Sequence, residues 1–436
     1  MIRTFVAALL LAVGVGGNSP APLLPQSPGK VPKSVLGVLW NDTGLTKPRL
    51  VRLDPLSLEP VGRRVPLRLG GETATALSPN GRLLAVGNGA PGIQLIDLRR
   101  MKEVAFVQLG GTGWVTYLFW ERGLLYAVID GDRHAALALV DPAGAHVLRR
   151  QPLAGMVLGA EVGSDRGTDQ VVLLTAPRRH IGRVTITVAG GKGSVAGGKG
   201  SGSVVVSEIS GGASVENDQN GYRARQVTPA LTVDPDAHRA LIVSAGRTVA
   251  TVSLDDLAVE YHTLSEPVSL LGRLHNWLEP SADAKLLEGP QRKAAWLSSG
   301  LVAVTGADYA TVEDDKGNPT VHVEAAGLSL LDTRNWSIRK LDSETSDFSL
   351  FGSSLLAFGD TSWGDQSQKG NGLRGYDLAG REIFHVLGGR KVGMVERSGD
   401  LAYVFLNERR RIVVDSVSGR VFGRAKSRTA LSVLPD

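Results

Sequence analysis

Ala76-Leu77-Ser78-Pro79-Asn80-Gly81-Arg82-Leu83-Leu84-Ala85-Val86, then Ile93-Gln94-Leu95-Ile96-Asp97 and Glu103-Val104-Ala105-Phe106-Val107, contain one complete structural unit. A short strand leads into a Pro-Asn-Gly turn. An apolar strand, a loop, a strand ending in Asp and an alternating strand follow. Period-two apolar runs punctuated by Gly, Pro and Asn are the pattern of consecutive antiparallel strands.

The plan recurs around Leu53-Asp54, Val140-Asp141, Leu331-Asp332, Tyr376-Asp377 and Val414-Asp415. Aligned aspartates lie 43 (54 to 97), 44 (97 to 141), 45 (332 to 377) and 38 (377 to 415) residues apart. The interval from 141 to 332 holds two further units. One runs from Val233-Asp234-Pro235 to Val252-Ser253, with Ser253 in the aspartate's place, and a degenerate one surrounds 171–188. Four short strands per period of about 40 residues read as the blades of a β-propeller. The fold expected is therefore all-β, with eight four-stranded blades and seven as the second choice. Helical periodicity is confined to a short candidate over 281–288. Val35-Leu36-Gly37-Val38-Leu39 matches the second strand of a blade, and Thr429-Ala430-Leu431-Ser432-Val433 matches an innermost strand. The C-terminal strand should then complete the N-terminal blade and close the ring, leaving no open sheet edge at the joint.

The stretch 77–109 resembles the YVTN-type and WD40-like repeats of bacterial secreted propellers. There a Ser-Pro-Asp-Gly turn precedes an apolar strand and a later Val-Ile-Asp; Asn80 stands here where that pattern has Asp. The resemblance implies architecture over most of 35–436. Such propellers include surface-layer proteins, binding scaffolds and some enzymes, so activity does not follow from it. The repeated aspartates read as turn caps, their carboxylates accepting nearby backbone N–H groups.

The 436 residues are 42% hydrophobic and 21% charged, a composition that buries a core. Arg3 followed by an apolar run to Gly17 reads as a secretory signal peptide, with 18–34 a flexible lead-in and 35–436 a single propeller domain. No later run is long enough to span a bilayer. Cysteine is absent, which excludes disulfides and thiolate metal sites. The net charge of +5 is small for this length, and no Lys/Arg run exceeds 409–411, so nucleic acid is not an expected partner. The expected location is extracellular or at the cell envelope, as a monomer.

Motifs suggestive of chemistry fall short. Gly87-Asn88-Gly89-Ala90-Pro91-Gly92 fits G-x-G-x-x-G but leads into a strand rather than a helix. In the duplicated tract Gly191-Lys192-Gly193-Ser194 and Gly198-Lys199-Gly200-Ser201, Gly200 stands where a phosphate loop needs Ser or Thr. The loop 216–221 has alternating oxygen ligands as a calcium loop does, but Val227 stands in place of the closing Glu. Asp308, Glu313, Asp314 and Asp315 form a second acidic loop. The eight histidines show no metal-ligand spacing, so neither metal nor cofactor is expected.

The best functional signal is the placement of insertions. With strands a to d in each blade, the b–c and d–a connections share one face of the ring. The long connections at 210–228 and 266–290 are d–a, and those at 307–326 and 360–372 are b–c. The glycine tract 190–202 is c–d and lies opposite. Loops on a rigid scaffold concentrate binding residues. These carry Tyr222, His275, Trp277, Tyr309 and Trp363, the expected ligand-binding set. The function expected is a non-enzymatic exported propeller that engages a protein, peptide or glycan on that face. The alternative is an enzyme, such as a lactone hydrolase or lyase, with its site at the central channel; no catalytic residue is assigned.

Overall fold

The computed structural model describes residues 31–41, 44–68, 74–88, 91–131, 134–165, 168–190, 202–218, 221–265, 290–298, 300–313, 319–359, 370–407, 410–426 and 431–434. The 1–17 segment, most of the lead-in and the 281–288 helix candidate lie outside them.

The strands form eight antiparallel sheets, six of four strands and two of five. Blade 1 takes 35–66, blade 2 75–108, blade 3 114–153, blade 4 156–227, blade 5 230–263, blade 6 291–342, blade 7 347–386 and blade 8 394–426. The innermost strand of blade 1 is Leu431–Val433, paired to Val35–Asn41 through Gly37 with Val433 and Leu39 with Leu431. The ring is thus closed by the chain's far end, as the repeat phase requires. The degenerate unit is a full blade. Blades 4 and 6 each carry a fifth strand because a hairpin grows out of the sheet.

Alternation along the strands distributes the core. Ala85 packs toward blade 3, while Leu84 and Val86 pack toward blade 1. A residue pattern of period two gives each blade two apolar faces. One buried cluster fills each of the eight blade–blade interfaces, including the last, where Leu401, Tyr403 and Val413 of blade 8 meet Val35, Val51 and Leu53 of blade 1.

The turn chemistry follows the repeat. In the Ser78–Asn80 turn, Asn80 Oδ1 accepts Arg82 N–H at 3.0 Å and Ser78 Oγ accepts Leu83 N–H at 2.8 Å. Gly81 takes φ +65° in open space. Each aspartate that ends a third strand accepts backbone N–H groups ahead of it. Asp97 holds Arg99 and Arg100, Asp141 holds Ala143, and Asp415 holds Val417 and Ser418. Ser253 does the same for Asp255 and Asp256. The N–H of Arg100 is the main reason Asp97 sits below the ordinary carboxylate range. These carboxylates are spent on turns.

Candidate functional site

Chain direction alternates, so the b–c and d–a connections emerge together, and the structure places the insertions accordingly. In blade 4 the outer strand Gly202–Asp218 leaves its partner Ile181–Gly190 at Gly212 and continues as a hairpin with Gly221–Val227. In blade 6 the second strand Leu301–Glu313 leaves the sheet after Gly306 and pairs with Pro319–Ala325. Both departures run through a glycine in left-handed backbone. Gly212 has φ +121° and a Cβ there would meet Pro177 O at 2.6 Å; Gly306 has φ +150° and a Cβ would meet Gln291 O at 1.9 Å. Only glycine lets the strand pass so close to a neighbouring carbonyl.

The feet of the two hairpins meet. Thr228, just after the first, bridges Gln291 at the start of the blade 6 inner strand. Thr228 N–H donates to Pro290 O at 3.0 Å and Arg292 N–H donates to Thr228 O at 2.8 Å. Arg292, largely buried, donates through Nη1 to Gln291 O and Ala307 O and through Nη2 to Asp308 Oδ1 at 2.7 Å. Asp308, one of the acidic-loop residues, is therefore an anchor of the second hairpin. Next along, Lys293 Nζ donates to Asp347 Oδ1 at 2.6 Å and to Phe348 O at 2.7 Å, joining blades 6 and 7. Among the described residues no three His, Asp or Glu side chains converge as a metal site.

The same face carries a second grouping at the rim of the channel, between blades 3 and 4. Trp114 begins the inner strand Trp114–Glu121 and is 50% exposed. Its cross-strand partner is Asp130, last residue of Leu124–Asp130. Directly opposed residues put their side chains on one face of the sheet. Asp130 Oδ1 accepts Arg178 Nη2 of blade 4, and Oδ2 accepts Val157 N–H at 3.1 Å. Gly113, at φ +126°, allows this approach, since a Cβ there would meet Asp130 O at 2.7 Å. Farther along the same inner strand, Tyr117 stacks on Phe119. Burial, then the charges of Glu161 and Asp130, push the Tyr117 hydroxyl up. Burial also pushes Glu161, on the blade 4 inner strand Met156–Asp165, up to about 7.

Toward the opposite face lies a cavity of about 330 Å³. Thr75, Ala76, Leu77 and Pro79 of blade 2, Leu118, Phe119 and Trp120 of blade 3 and Val162 of blade 4 line it. Trp120 Nε1 donates to Ala76 O at 2.9 Å, which fixes the indole as a wall.

Of the residues expected from sequence on long loops, Tyr222 lies on the strand Gly221–Val227 and Tyr309 on Leu301–Glu313, so the two connections that carry them are β-hairpins rather than loops. Their side chains, and the whole of His275, Trp277 and Trp363, lie outside the described residues. The structure tests none of the five as ligand contacts. The glycine tract 191–201 is likewise outside, but the strands on either side place it as a c–d connection.

No protein-family model matches the chain, and no curated protein does. Solved structures do. "Dihydro-heme d1 dehydrogenase NirN in complex with DHE" is similar over 95% of this chain and 78% of that one, with a TM-score of 0.54 and 17% identity. The designed Ika8 protein covers 85% and 92% at 12% identity, TM-score 0.49. The Myceliophteria thermophila Cps50 (Swd1) β-propeller domain covers 83% and 89% at 12% identity, TM-score 0.39. The likeness is one of fold.

Sequence reasoning passed over Trp114, Asp130, Arg178 and Glu161. Two signals were present. Gly110-Gly111-Thr112-Gly113 before Trp114 is a backbone prepared for close approach, and Glu161 is the one charged residue in the otherwise apolar run 156–163.

Proposed function

We propose that this protein is an exported, non-enzymatic propeller that binds or scaffolds a protein, peptide or glycan at the cell envelope. Its contact surface is the face bearing the insertions of blades 4 to 7. One observation carries the reading: the blade 4 and blade 6 hairpins leave through left-handed glycines and share a foot at Thr228, Gln291 and Arg292. A rigid ring with two joined projections on one side is a platform, and loops so held are favoured binding elements. Export rests on the apolar run after Arg3.

The test is recovery of envelope components by the mature protein. A variant with 310–322 replaced by Asn-Gly should lose the recovered component, and a variant shortened at 191–201 on the other face should keep it. Equal recovery by all three proteins overturns the reading.

The second reading is a channel enzyme, favoured by Glu161 at about 7 beside the cavity-lining Val162. A carboxyl that titrates near neutrality suits a general acid or base. The similar NirN structure is a dehydrogenase holding a ligand, DHE. Turnover of a lactone or polyuronate substrate that is lost in Glu161→Gln would establish it.

A further inference from the structure

We propose that Trp114, Asp130 and Arg178 form a subsite for a neutral carbohydrate ring at the channel rim. This rests on the proposed binding function and names the chemistry of one partner.

The indole of Trp114 is half exposed on a rigid inner strand rather than on a loop. Gly113 seats it beside Asp130, where a bulkier residue would collide with the Asp130 carbonyl. The π face of an indole is electron-rich and attracts the polarised C–H groups of an apolar surface. Pyranose rings offer such a face, with hydroxyls around the edge.

The polar groups beside the indole suit those hydroxyls. Each Asp130 oxygen already accepts one hydrogen bond and keeps a lone pair. Arg178 uses Nη2 on Asp130; its Nε is enclosed, so donation to a ligand falls to the outward guanidinium hydrogens of a side chain that is 20% exposed. The pair therefore still accepts and donates, as the hydroxyls of a sugar require. Its charges cancel: one carboxylate faces one guanidinium, with side chains 18% and 20% exposed. A charged ligand gains nothing net from such a pair, whereas a neutral polyol makes charge-assisted hydrogen bonds to both halves. The rim thus combines an aromatic platform with neutralised donors and acceptors, which favours a neutral glycan over an anionic polymer or a charged peptide.

The experiment is calorimetry, with tryptophan fluorescence in parallel, on the full chain and the neutral probes cellohexaose, chitohexaose and maltohexaose. Polygalacturonate serves as the anionic control. At least one neutral series should bind in the millimolar range or tighter and shift the indole emission, with polygalacturonate weaker. Trp114→Ala should weaken binding by at least about tenfold, a loss of about 1.4 kcal/mol. Trp114→Phe should keep most of it, and both variants should melt with the parent. Binding indifferent to Trp114→Ala, or silence with all three neutral probes, overturns the proposal. The variant shortened at 310–322 separates the two readings. Sugar binding retained there while envelope recovery is lost supports both. Recovery that depends on the hairpin with no sugar bound sinks this subsite alone. Sugar bound at Trp114 with recovery indifferent to the hairpin sinks the broader reading alone.

Discussion

Glu396 Oε2 accepts the backbone N–H of Val433 at 2.7 Å, tying the inner strand of the last blade to the strand that closes the ring. Val433 also pairs with Gly37, so three segments meet at one residue. The fully buried Arg411 stands near enough for its charge to act on the Glu396 carboxyl, and its guanidinium lies over Phe405 at 3.9 Å.

Glu396 and Glu161 predict how stability depends on pH. Burial raises both to about 7 from an ordinary 4.5; at Glu396 the Val433 N–H and Arg411 oppose it. The folded pKa exceeds the unfolded one, so the folded state holds the protons more tightly. Their contribution is complete below about pH 4.5 and is lost as pH rises through about 7. Each group accounts for about 3 kcal/mol over that window. Urea unfolding at pH 5 and pH 8 should show the decline, and Glu396→Gln with Glu161→Gln should flatten it. A double variant as pH-dependent as the parent contradicts the assignment.

Deleting 431–436 removes the closing strand together with buried Val433 and Leu434. It also strips Leu36 O of the Leu434 N–H and leaves the edge of Val35–Asn41 unpaired. The cost should be several kcal/mol, since each buried aliphatic side chain contributes about 2 kcal/mol before hydrogen bonds are counted. Thermal unfolding measures it, and an unchanged midpoint would mean the joint does not hold the ring.

Gly306→Ala should destabilise by at least about 2 kcal/mol, through strained backbone and the clash with Gln291 O. Gly81→Ala, also left-handed but in open space, should cost about 1 kcal/mol. Denaturant titration of the two variants side by side separates the close approach from the dihedral.

Replacing 310–322 by Asn-Gly should change stability by less than about 1 kcal/mol, because loop length enters only logarithmically and Asp308 stays on Arg292. A large drop in the melting midpoint would make the hairpin part of the core instead of a projection.

The architecture was legible because it is written in local chemistry. Asp97, Asp141 and Asp415 cap turns that recur at blade spacing, and Ser253 substitutes by the same hydrogen bonds. The phase of Val35–Asn41 against Leu431–Val433 foretold the closure. The fifth strands were not legible: 210–228 and 307–326 read as loops because runs of polar residues and glycine, 216–221 and 313–318, interrupt both stretches. The rim was missed for a different reason. Trp114 and Asp130 are 16 residues apart and meet only through the register of two strands of blade 3, and Arg178, 48 beyond Asp130, joins them only because blade 4 packs on blade 3.

The pairing of Gly37 with Val433 has a temporal meaning. Blade 1 draws three strands from 35–66, yet its innermost strand comes from Leu431–Val433. Seven blades can assemble from near neighbours in sequence, but the first waits for Leu431–Val433, and its closing contact has the longest sequence separation among the described strand pairs. Contacts of that kind carry the largest loop-closure cost and limit folding speed. Before that contact forms, the eight blades are an open arc with two exposed blade faces, and the hydrogen bonds of Leu431–Val433 to Val35–Asn41 convert the arc into a ring.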